Sequence, residues 1–228
     1  QKIGDLYNLA MDVEKLNADG MNPIKQELDK IDAIKDKAGI IQAMADLTGS
    51  AYFQFYVGAD IMDSKNNIFQ LHQGGIGLGQ KEYYLEDDEA TKNIREGYKA
   101  HIVKMFQLIG QDEKQATKSM EAVMEIETKL AKKSFSAVEL RNPAANYHML
   151  TLDELKKEIA GFDWEAYLNA VGVKGVTSLN VSQIEPVQEA VAIINTLPLD
   201  KQKAYLQWKL VDGAASYLSD AFVAQNFE

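Results

Sequence analysis

Four glycines lie within the six residues GGIGLG, at positions 74–79, and a glycine-rich loop of this kind can bind phosphate. A dinucleotide-binding loop needs glycine at three fixed positions, where it allows a tight turn, close approach of the pyrophosphate and close packing of helix on strand. Counted from Gly75, the third position holds Gln80. A P-loop needs lysine followed by serine or threonine, but Glu82 follows Lys81. The spacing favours a structural loop that uses the positive φ of glycine, or a loop that contacts a partner, over nucleotide binding.

The three histidines are the next candidates for chemistry, and their spacing does not form a zinc motif. His72, His101 and His148 lie far apart, and none is followed by glutamate with a second histidine four positions later. His101 falls on the apolar stripe of a predicted helix, where a hydrogen-bonded core histidine is the favoured interpretation over a metal ligand. His72 and His148 have the same interpretation in loop-like contexts.

Acidic clusters offer two further candidates, and each has a simpler explanation. The stretch DIMDSKNN begins at Asp60, but a calcium loop there would need glycine at its sixth position and glutamate at its twelfth, where Lys65 and Leu71 stand. The acidic run EDDEA at 86–90 is expected to begin a helix, where carboxylates favour the helix dipole. No G-x-S-x-G motif is present. The sequence therefore predicts no catalytic, cofactor-binding or metal-binding residue in this segment.

Composition limits the class of protein. The chain has 228 residues, of which 46% are hydrophobic, enough to bury a core. Lysine and arginine number 24 against 34 aspartate and glutamate, a net charge of -10 that repels nucleic acid and anionic membranes. No apolar run approaches the roughly 20 residues of a transmembrane helix. The absence of cysteine excludes disulfides and thiolate zinc sites, and the start at Gln1 indicates either a processed N-terminus or a fragment.

The elements that must position these residues are mostly helices in the first third of the chain, followed by a hairpin. Residues 2–18 predict one helix with a buried apolar stripe, which consists of Ile3, Leu6, Tyr7, Ala10, Met11 and Val13. A second helix is expected to have Asn22 as N-cap and Pro23 at its first position. It would bury Ile24, Leu28 and Ile31. A third helix runs from about Lys37 to Leu47. Alternating apolar residues then predict a β-hairpin.

Helices are also predicted for most of the chain after the glycine loop. The first is capped by Asp87 or Asp88 and carries on one face Ile94, Tyr98, His101, Ile102, Met105 and Leu108. The second covers about residues 113–133. Two S/T-x-x-E capping boxes, Ser136 with Glu139 and Thr151 with Glu154, predict helix starts.

The last part of the chain contains one segment that the sequence leaves open. A short helix is expected after Asp163, whereas residues 176–183 form either a strand or a loop. Pro186 and Pro198 are expected to begin the last two helices. The final helix would bury Tyr205, Trp208, Val211, Ala215, Leu218 and Phe222. The predicted fold is thus mainly α, a single multi-helix domain over residues 1–228 with one β-hairpin at about residues 52–72.

Five stretches, in consistent order, resemble the neprilysin and endothelin-converting-enzyme family of zinc metalloendopeptidases. They are DLYNLAMDVEKLNADGMNPIKQEL at 5–28, QGGIGLGQKEYYL at 73–85, EIETKLAKKSFSAVELRNPAANYHMLTLDEL at 125–155, FDWEAYL at 162–168 and YLQWKLVDGAASYLSDAF at 205–222. Together they extend over nearly the whole chain. The resemblance is to the N-terminal portion of these enzymes, which builds most of a helical lobe that caps the catalytic lobe.

The resemblance implies a function for the parent protein rather than for this segment alone. Family members hydrolyse peptides in a chamber that excludes folded proteins, and their zinc ligands and general-base glutamate come from the C-terminal part. We therefore expect peptide substrates, zinc in the parent with its ligands outside this segment, and the catalytic C-terminal lobe of the same chain as partner. The segment alone is expected to be inactive. An extracytoplasmic location follows from the same resemblance.

A free-standing helical module that binds peptides without catalysis is the alternative. The last predicted helix reaches Phe227 and Glu228 without a glycine cap or polar tail, which favours a chain that continues over such a module. For the glycine loop, we expect a tight connection that returns the hairpin to the helices. Tyr83 and Tyr84 would anchor it by burying their rings and hydrogen-bonding their hydroxyls.

Overall fold

The computed structural model of the chain describes residues 2–227, and it begins with two short helices where the sequence predicts one. Helix α1 spans Lys2–Ala10 and helix α2 spans Val13–Asp19. The side chain of Asp12 accepts a hydrogen bond from the backbone N–H of Lys15 at 3.1 Å, so a new helix begins after Asp12. Gln1 and Glu228, and the predictions made on them, lie outside the described residues.

The apolar stripe on these two helices is exposed, and the prediction that it is buried is wrong. Ile3, Tyr7, Met11 and Val13 are all largely accessible to solvent, as is Ala10; the side chain of Leu6 lies outside the described residues. Periodicity identifies which side chains share a helix face, but it does not show whether another element covers that face.

The next two helices form as predicted, with one shift at a cap. Helix α3 spans Asn22–Asp32 and buries Ile24, Leu28 and Ile31, while helix α4 spans Lys37–Asp46. Met21 is the N-cap of α3, and Asn22 is already helical, so the predicted cap is wrong by one residue. The Met21 side chain makes no capping hydrogen bond.

The predicted hairpin is present and belongs to a larger sheet. Strand β1, Phe53–Ala59, pairs antiparallel with strand β2, Asn67–Gln73. Strand β4, Ser178–Val181, lies parallel to β2 and settles the segment that the sequence left open as a strand. Strand β3, Met149–Thr151, pairs antiparallel with β4 and was not predicted. The sheet order is β1-β2-β4-β3.

Two long helices follow the glycine loop. After the short helix α5, Glu82–Leu85, helix α6 spans Glu89–Leu108 and helix α7 spans Glu113–Lys133. The N-cap of α6 is Asp88, which decides between the two predicted caps. On the predicted face of α6, Ile102 and Met105 are buried and Tyr98, His101 and Leu108 are half-buried. Ile94, at the N-terminal end of the same face, is exposed.

The two predicted capping boxes have different outcomes. Thr151 and Glu154 form the reciprocal pair of hydrogen bonds at the start of helix α8, Leu152–Glu158. Ser136 and Glu139 form the same bonds, but only a single 3₁₀ turn follows, so the predicted helix start there is wrong. Helix α9, Trp164–Ala170, is capped by Asp163 as predicted.

The described part of the chain ends with three helices where the sequence predicts two. Helix α10 spans Ile184–Thr196, and helix α11 spans Leu199–Ala214 with Pro198 as its N-cap. A 3₁₀ turn at Ala215–Tyr217 separates α11 from helix α12, Asp220–Phe227. The predicted inward side chains are all buried: Tyr205, Trp208, Val211, Ala215, Leu218 and Phe222.

One hydrophobic cluster connects the sheet to the helices. The ring of Phe53 on β1 lies within 6 Å, centroid to centroid, of the rings of Phe162, Trp164 and Tyr167. The same cluster includes side chains from α3, α4, α6, α7, α10 and α11. Within residues 2–227, no helix combines the length and the apolar character that crossing a bilayer requires.

Candidate functional site

The glycine loop packs against a buried polar network formed by Tyr84, Tyr98, Glu127 and Lys209. Gly75 and Gly79 have φ of 81° and 78°, a region that side-chain-bearing residues rarely adopt. A Cβ added to Gly77 would lie 1.9 Å from the Oη of Tyr98. The loop therefore needs glycine for its turns and for its close approach to a tyrosine.

Tyr84 fixes the loop to the helices below it. Its Oη accepts a hydrogen bond from the backbone N–H of Leu78 at 2.9 Å and donates one to the carboxylate of Glu127 at 2.6 Å. Its ring is buried. The predicted anchoring role of Tyr84 is thus confirmed, whereas Tyr83 is half-buried and its backbone carbonyl accepts from the Arg95 guanidinium at 3.1 Å.

Glu127 is the centre of the network. One carboxylate oxygen pairs with the Nζ of Lys209 at 2.8 Å, and the other accepts from Tyr84 and from the Oη of Tyr98, the latter at 3.0 Å. The indole N–H of Trp208 donates to Tyr98 Oη at 3.1 Å. The side chain of Glu127 is 0% exposed and that of Lys209 is 6% exposed. A buried charge of this kind is tolerated because it is paired and fully hydrogen-bonded.

A second pair of tyrosines holds the start of the loop. The Oη of Tyr205 donates to the carbonyl of Gly75 at 2.8 Å and accepts from the backbone N–H of Tyr52 at 3.0 Å. The hydroxyl of Tyr52 donates to the side chain of Gln202 at 3.2 Å. Tyr52 itself has a φ of 64°, so the residue before β1 is held in a conformation that the loop contacts stabilise.

Burial shifts the pKa values of these phenols upward. Burial raises the pKa of Tyr84 and Tyr98 far above the usual value for tyrosine, and the nearby Glu127 carboxylate raises both further. Burial likewise raises the pKa of Tyr205. Burial also raises the pKa of the Asp212 carboxyl, against the opposing effect of Lys209. The network therefore donates hydrogen bonds to a buried carboxylate, and through Tyr84 it holds the glycine loop in place.

Glu127 and Lys209 were not predicted as site residues, although their positions in the sequence carry a signal. Glu127 lies on the buried face of α7, four positions after Val123 and three before Leu130, where an apolar residue is expected. Lys209 directly follows Trp208 on the buried face of α11. A charged residue within an apolar stripe indicates a buried partner of opposite charge.

The histidines and acidic runs lie on separate elements. His72, on β2, stacks on Tyr56, and its pKa is lowered by burial. The Nδ1 of His148, ahead of β3, lies 2.9 Å from the carbonyl of Val181, and His101, on α6, packs its ring edge-on against Trp208. Within residues 2–227, no three acidic or histidine side chains cluster in a way that could hold a metal ion.

The two acidic runs have structural roles. The carboxylate of Asp88 caps α6 by accepting from the N–H of Thr91 at 3.0 Å, and hydrogen bonding to the side chain and then to the backbone of Thr91 lowers the pKa of Asp88. Asp60 begins the connection between β1 and β2, where its carboxylate accepts from the hydroxyl of Tyr147 at 2.9 Å and from the N–H of Met62. These bonds account for both runs without a bound cation.

A cleft with an apolar floor lies between α3 and α4. Its volume is about 530 Å³. Ile31, Ile34, Ala43, Leu47 and Leu210 line its floor, and charged side chains such as Glu27 and Lys30 lie at its rim. The cleft has the size of a small-ligand or peptide-side-chain pocket.

The whole chain matches one family model. Residues 1–228 match the model of the N-terminal region of peptidase family M13. Among individual relatives, endothelin-converting enzyme 1 of Rattus norvegicus is 29% identical over 182 residues, and that of Homo sapiens is 28% identical over the same length. Each alignment covers 76% of this chain and 23% of the relative. The chain thus spans less than a quarter of the length of these relatives.

Two solved structures are similar to this chain over nearly its whole length. The inhibitor complex of the zinc metalloprotease Zmp1 from Mycobacterium tuberculosis superposes with a TM-score of 0.92 at 30% identity, over 99% of this chain and 35% of that one. PepO from Lactobacillus rhamnosis superposes with a TM-score of 0.74 at 17% identity, which shows a shared fold. In both cases the matched part is about a third of the solved chain.

Proposed function

This chain belongs to peptidase family M13, of which it represents the N-terminal portion, and we propose that it is part of a zinc-dependent metalloendopeptidase that hydrolyses peptides. The match to the mycobacterial zinc metalloprotease carries the proposal, because it extends along almost the entire chain. The remaining two thirds of that relative have no counterpart in these 228 residues. The residues that carry out hydrolysis would lie there.

Residues 1–228 would form a single non-catalytic domain that caps the substrate chamber. A cap must hold its shape while peptides enter and leave, and the buried network of Glu127, Lys209 and Tyr84 supports such rigidity. The excess of acidic residues would favour entry of basic peptides over acidic ones. The partners in this proposal are peptide substrates and the catalytic C-terminal lobe of the same polypeptide.

The described residues do not fit a zinc site, because no three acidic or histidine side chains among them lie close enough together to share a metal ion. His72, His101 and His148 lie on separate elements, and none is part of an H-E-x-x-H motif. Zinc would bind in the parent enzyme through ligands outside this segment, and the segment alone would be inactive. We place the parent outside the cytoplasm on the basis of the family resemblance.

The coding region beyond residue 228 and the protein it encodes test the proposal. We expect an H-E-x-x-H helix with a downstream glutamate ligand, close to one zinc per full-length chain, and peptide hydrolysis that a chelator abolishes and added zinc restores. Replacing the motif glutamate with glutamine is the matched control, since it should abolish hydrolysis while zinc remains bound. The proposal fails if the full-length protein binds no zinc or if the 228-residue chain hydrolyses peptides by itself.

The cleft between α3 and α4 favours a second candidate, a peptide-binding module without catalysis. Its apolar floor could take one or two apolar side chains of a peptide. Ala43 lies on that floor, so Ala43→Glu should weaken peptide binding at least tenfold by calorimetry. Ala137→Glu, at an exposed loop position, is the matched control. Peptide affinity that is equal in the two variants would exclude this candidate.

A further inference from the structure

Strand β1 is the end strand of the sheet, and its outer edge pairs with no other strand within residues 2–227. The sheet order is β1-β2-β4-β3, so β1 pairs only with β2. The centre of the strand is open to solvent, where Tyr56 is 49% exposed and Val57 is 56% exposed. The strand has seven residues, whereas many proteins keep unpaired edge strands very short.

The hydrogen bonds around β1 show which of its backbone groups face this edge. In an antiparallel pair, residues alternate between bonding the neighbouring strand and pointing their N–H and C=O away from it. The N–H of Asp60 donates to the carbonyl of Asn66 at 2.9 Å. By the alternation, Gly58 and Tyr56 also bond β2, and Val57 between them points its N–H and C=O to the outer edge.

The bonds on the far side of β2 give the same alternation. Leu71 lies opposite Phe55 in the register, and its carbonyl accepts from the N–H of Ser182 at 2.8 Å, on the β4 side. Opposed residues that do not bond each other both point away from the pair. Phe55 therefore presents its backbone groups to the outer edge, as Val57 does.

Four backbone groups are available on the outer edge. At one end, Gly49 lies against Phe55, because a Cβ built on Gly49 would be 3.3 Å from the Phe55 nitrogen. At the other end, the carbonyl of Ala59 accepts from the side-chain amide of Gln70 at 3.2 Å. Between these limits lie the carbonyl of Phe55, the N–H and carbonyl of Val57, and the N–H of Ala59. No hydrogen bond within residues 2–227 engages these four groups.

Strand β1 lacks the features that keep such an edge unpaired. Proteins protect exposed edges with charged side chains, proline or β-bulges. The sequence FQFYVGA contains no charge and no proline, and its register with β2 is continuous from Phe53 to Ala59. Free N–H and C=O groups at strand spacing are complementary to the backbone of another extended chain. The edge is therefore suited to bind an added strand.

Charge and chemistry indicate which strand that is. A second copy of this chain carries the same net charge of -10, so two copies repel each other. A peptide substrate of the proposed enzyme is a short chain that can extend, and backbone pairing accepts peptides of varied sequence. The exposed ring of Tyr56, which stacks on His72 at 5.0 Å between centroids, would contact a side chain of the added strand.

We infer that the outer edge of β1 binds peptide substrate as an added, extended strand. The peptide backbone bonds the carbonyl of Phe55, the N–H and carbonyl of Val57, and the N–H of Ala59. This inference rests on the proposed function and gives the cap a direct part in holding the substrate. Apolar and β-branched side chains are favoured next to Tyr56 and Val57, because such cross-strand pairs stabilise a sheet.

Hydrogen exchange at single residues of the full-length protein tests the inference. The glutamate of the expected H-E-x-x-H helix is replaced by glutamine, so that bound peptide is not hydrolysed. The probe is a ten-residue peptide of alternating threonine and valine between terminal lysines. Saturating peptide should slow exchange of the Val57 and Ala59 amides at least tenfold. The amides of Tyr56 and Gly58 already bond β2 and should not change, so they are the internal control.

A matched pair of variants tests the same contact by affinity. Val57→Pro removes the outward N–H without removing a bond to β2, whereas Val57→Thr keeps the N–H and a β-branched side chain. Fluorescence anisotropy of the labelled peptide should show binding at least fivefold weaker for Val57→Pro than for Val57→Thr. If the proline variant does not fold, the exchange experiment, in which Val57 is unchanged, decides.

Three results overturn the inference. Protection of the Val57 and Ala59 amides before peptide is added shows that another part of the polypeptide occupies the edge. Protection that rises with protein concentration in the absence of peptide shows that a second copy occupies it. Equal peptide affinity of two folded variants, Val57→Pro and Val57→Thr, shows that the outward N–H does not bind the peptide.

Zinc content and peptide hydrolysis, measured on the unsubstituted full-length protein, separate the inference from the proposed function. An active zinc enzyme without the alternating protection on β1 overturns the inference alone. Alternating protection by peptide in a protein that binds no zinc overturns the proposed function alone.

Discussion

Gly77 shows how a single residue is determined by its neighbours. The nearest atoms to a Cβ at this position would be the Oη and Cζ of Tyr98, at 1.9 and 2.8 Å. Tyr98 is in turn held by bonds to Glu127 and Trp208. A side chain at position 77 would therefore have to displace a buried ring that is fixed at two points.

We predict that Gly77→Ala lowers the free energy of unfolding by about 1 to 3 kcal/mol, because overpacking here breaks hydrogen bonds to the buried carboxylate. Urea denaturation measures the change. Gly97→Ala is the control, since Gly97 lies in α6 with open space around it. That substitution should stabilise the protein by about 0.5 to 1 kcal/mol. If Gly77→Ala is as stable as the unsubstituted chain, the glycine loop is not held against Tyr98 as the structure indicates.

Lys209 is predicted to stabilise the fold, because its replacement leaves the buried Glu127 carboxylate without its ion-pair partner. Lys209→Met should lower the free energy of unfolding by about 3 to 5 kcal/mol, since Glu127 would remain buried and uncompensated. The exposed pair Lys25–Asp29, at 2.8 Å, provides the control, and Lys25→Met should change stability by less than about 1 kcal/mol. A double variant with Glu127→Gln should recover part of the loss. If the double variant is no more stable than Lys209→Met, the unpaired Glu127 charge is not the cause of the destabilisation.

The free energy of unfolding should also fall at alkaline pH, because the buried tyrosines resist deprotonation in the folded state. The pKa values of Tyr84, Tyr98 and Tyr205 are raised in the folded state, so the folded protein retains protons that the unfolded chain releases above pH of about 10. Their contribution to stability is thus complete below that pH and falls as pH rises beyond it. Tyr84→Phe should reduce the steepness of this fall by up to about 1.4 kcal/mol per pH unit in urea titrations. If Tyr84→Phe leaves the pH dependence of the free energy of unfolding unchanged, the raised pKa of Tyr84 is contradicted.

At the scale of elements, the two capping boxes show the limits of a local motif. Ser136 with Glu139 and Thr151 with Glu154 have the same spacing and the same hydrogen bonds. Leu155 of α8 is buried in the core, whereas the turn after Ser136 buries no residue. A cap satisfies the first N–H groups of a helix, but burial of an apolar side chain is what continues the helix.

We therefore predict that Thr151→Ala destabilises the protein by about 1 kcal/mol, the usual cost of losing an N-cap. Ser136→Ala, which removes the same bonds from an exposed 3₁₀ turn, should have a smaller effect, below about 0.5 kcal/mol. Chemical denaturation of both variants in parallel makes the comparison. A larger effect at Ser136 would show that this turn supports more of the fold than its exposure indicates.

At the scale of the whole molecule, the sheet joins distant parts of the chain. Strand β2 pairs with β4 about 110 residues later, with Phe69 opposite Leu179 and Leu71 opposite Val181. All four of these side chains are buried in one cluster with helices from both halves of the sequence. Because β2 and β4 pair with each other, unfolding of either half of the sequence would expose core side chains of the other half.

Hydrogen exchange should show this coupling. We predict that the amides of central β2 and β4 exchange at the rate of global unfolding, and that those of α1 exchange at least a hundredfold faster in the 228-residue chain. Exchange detected by mass spectrometry, with peptides from β2 and α1, measures both. Protection of β2 that is lost at a lower urea concentration than protection of β4 would contradict a single cooperative unit.

The sequence alone determined most of the helices, because their apolar periodicity and capping residues are local signals. Asp36, Asp88, Asp112 and Asp163 each precede a helix that they cap in the structure. The hairpin, the need for glycine in its return loop and the family resemblance were also accessible. The hairpin and its return loop depend on residues that are close together in the chain, whereas the resemblance depends on the order of five separate stretches.

Only the tertiary structure decided which faces are buried and which polar groups meet. The pairing of Glu127 with Lys209 joins residues 82 positions apart, and the pairing of β2 with β4 joins residues about 110 positions apart. The exposed stripe of α1 has the same period as the buried stripe of α3, so periodicity could not separate them. Burial and long-range pairing depend on elements brought together by the fold, and no local pattern specifies which elements those are.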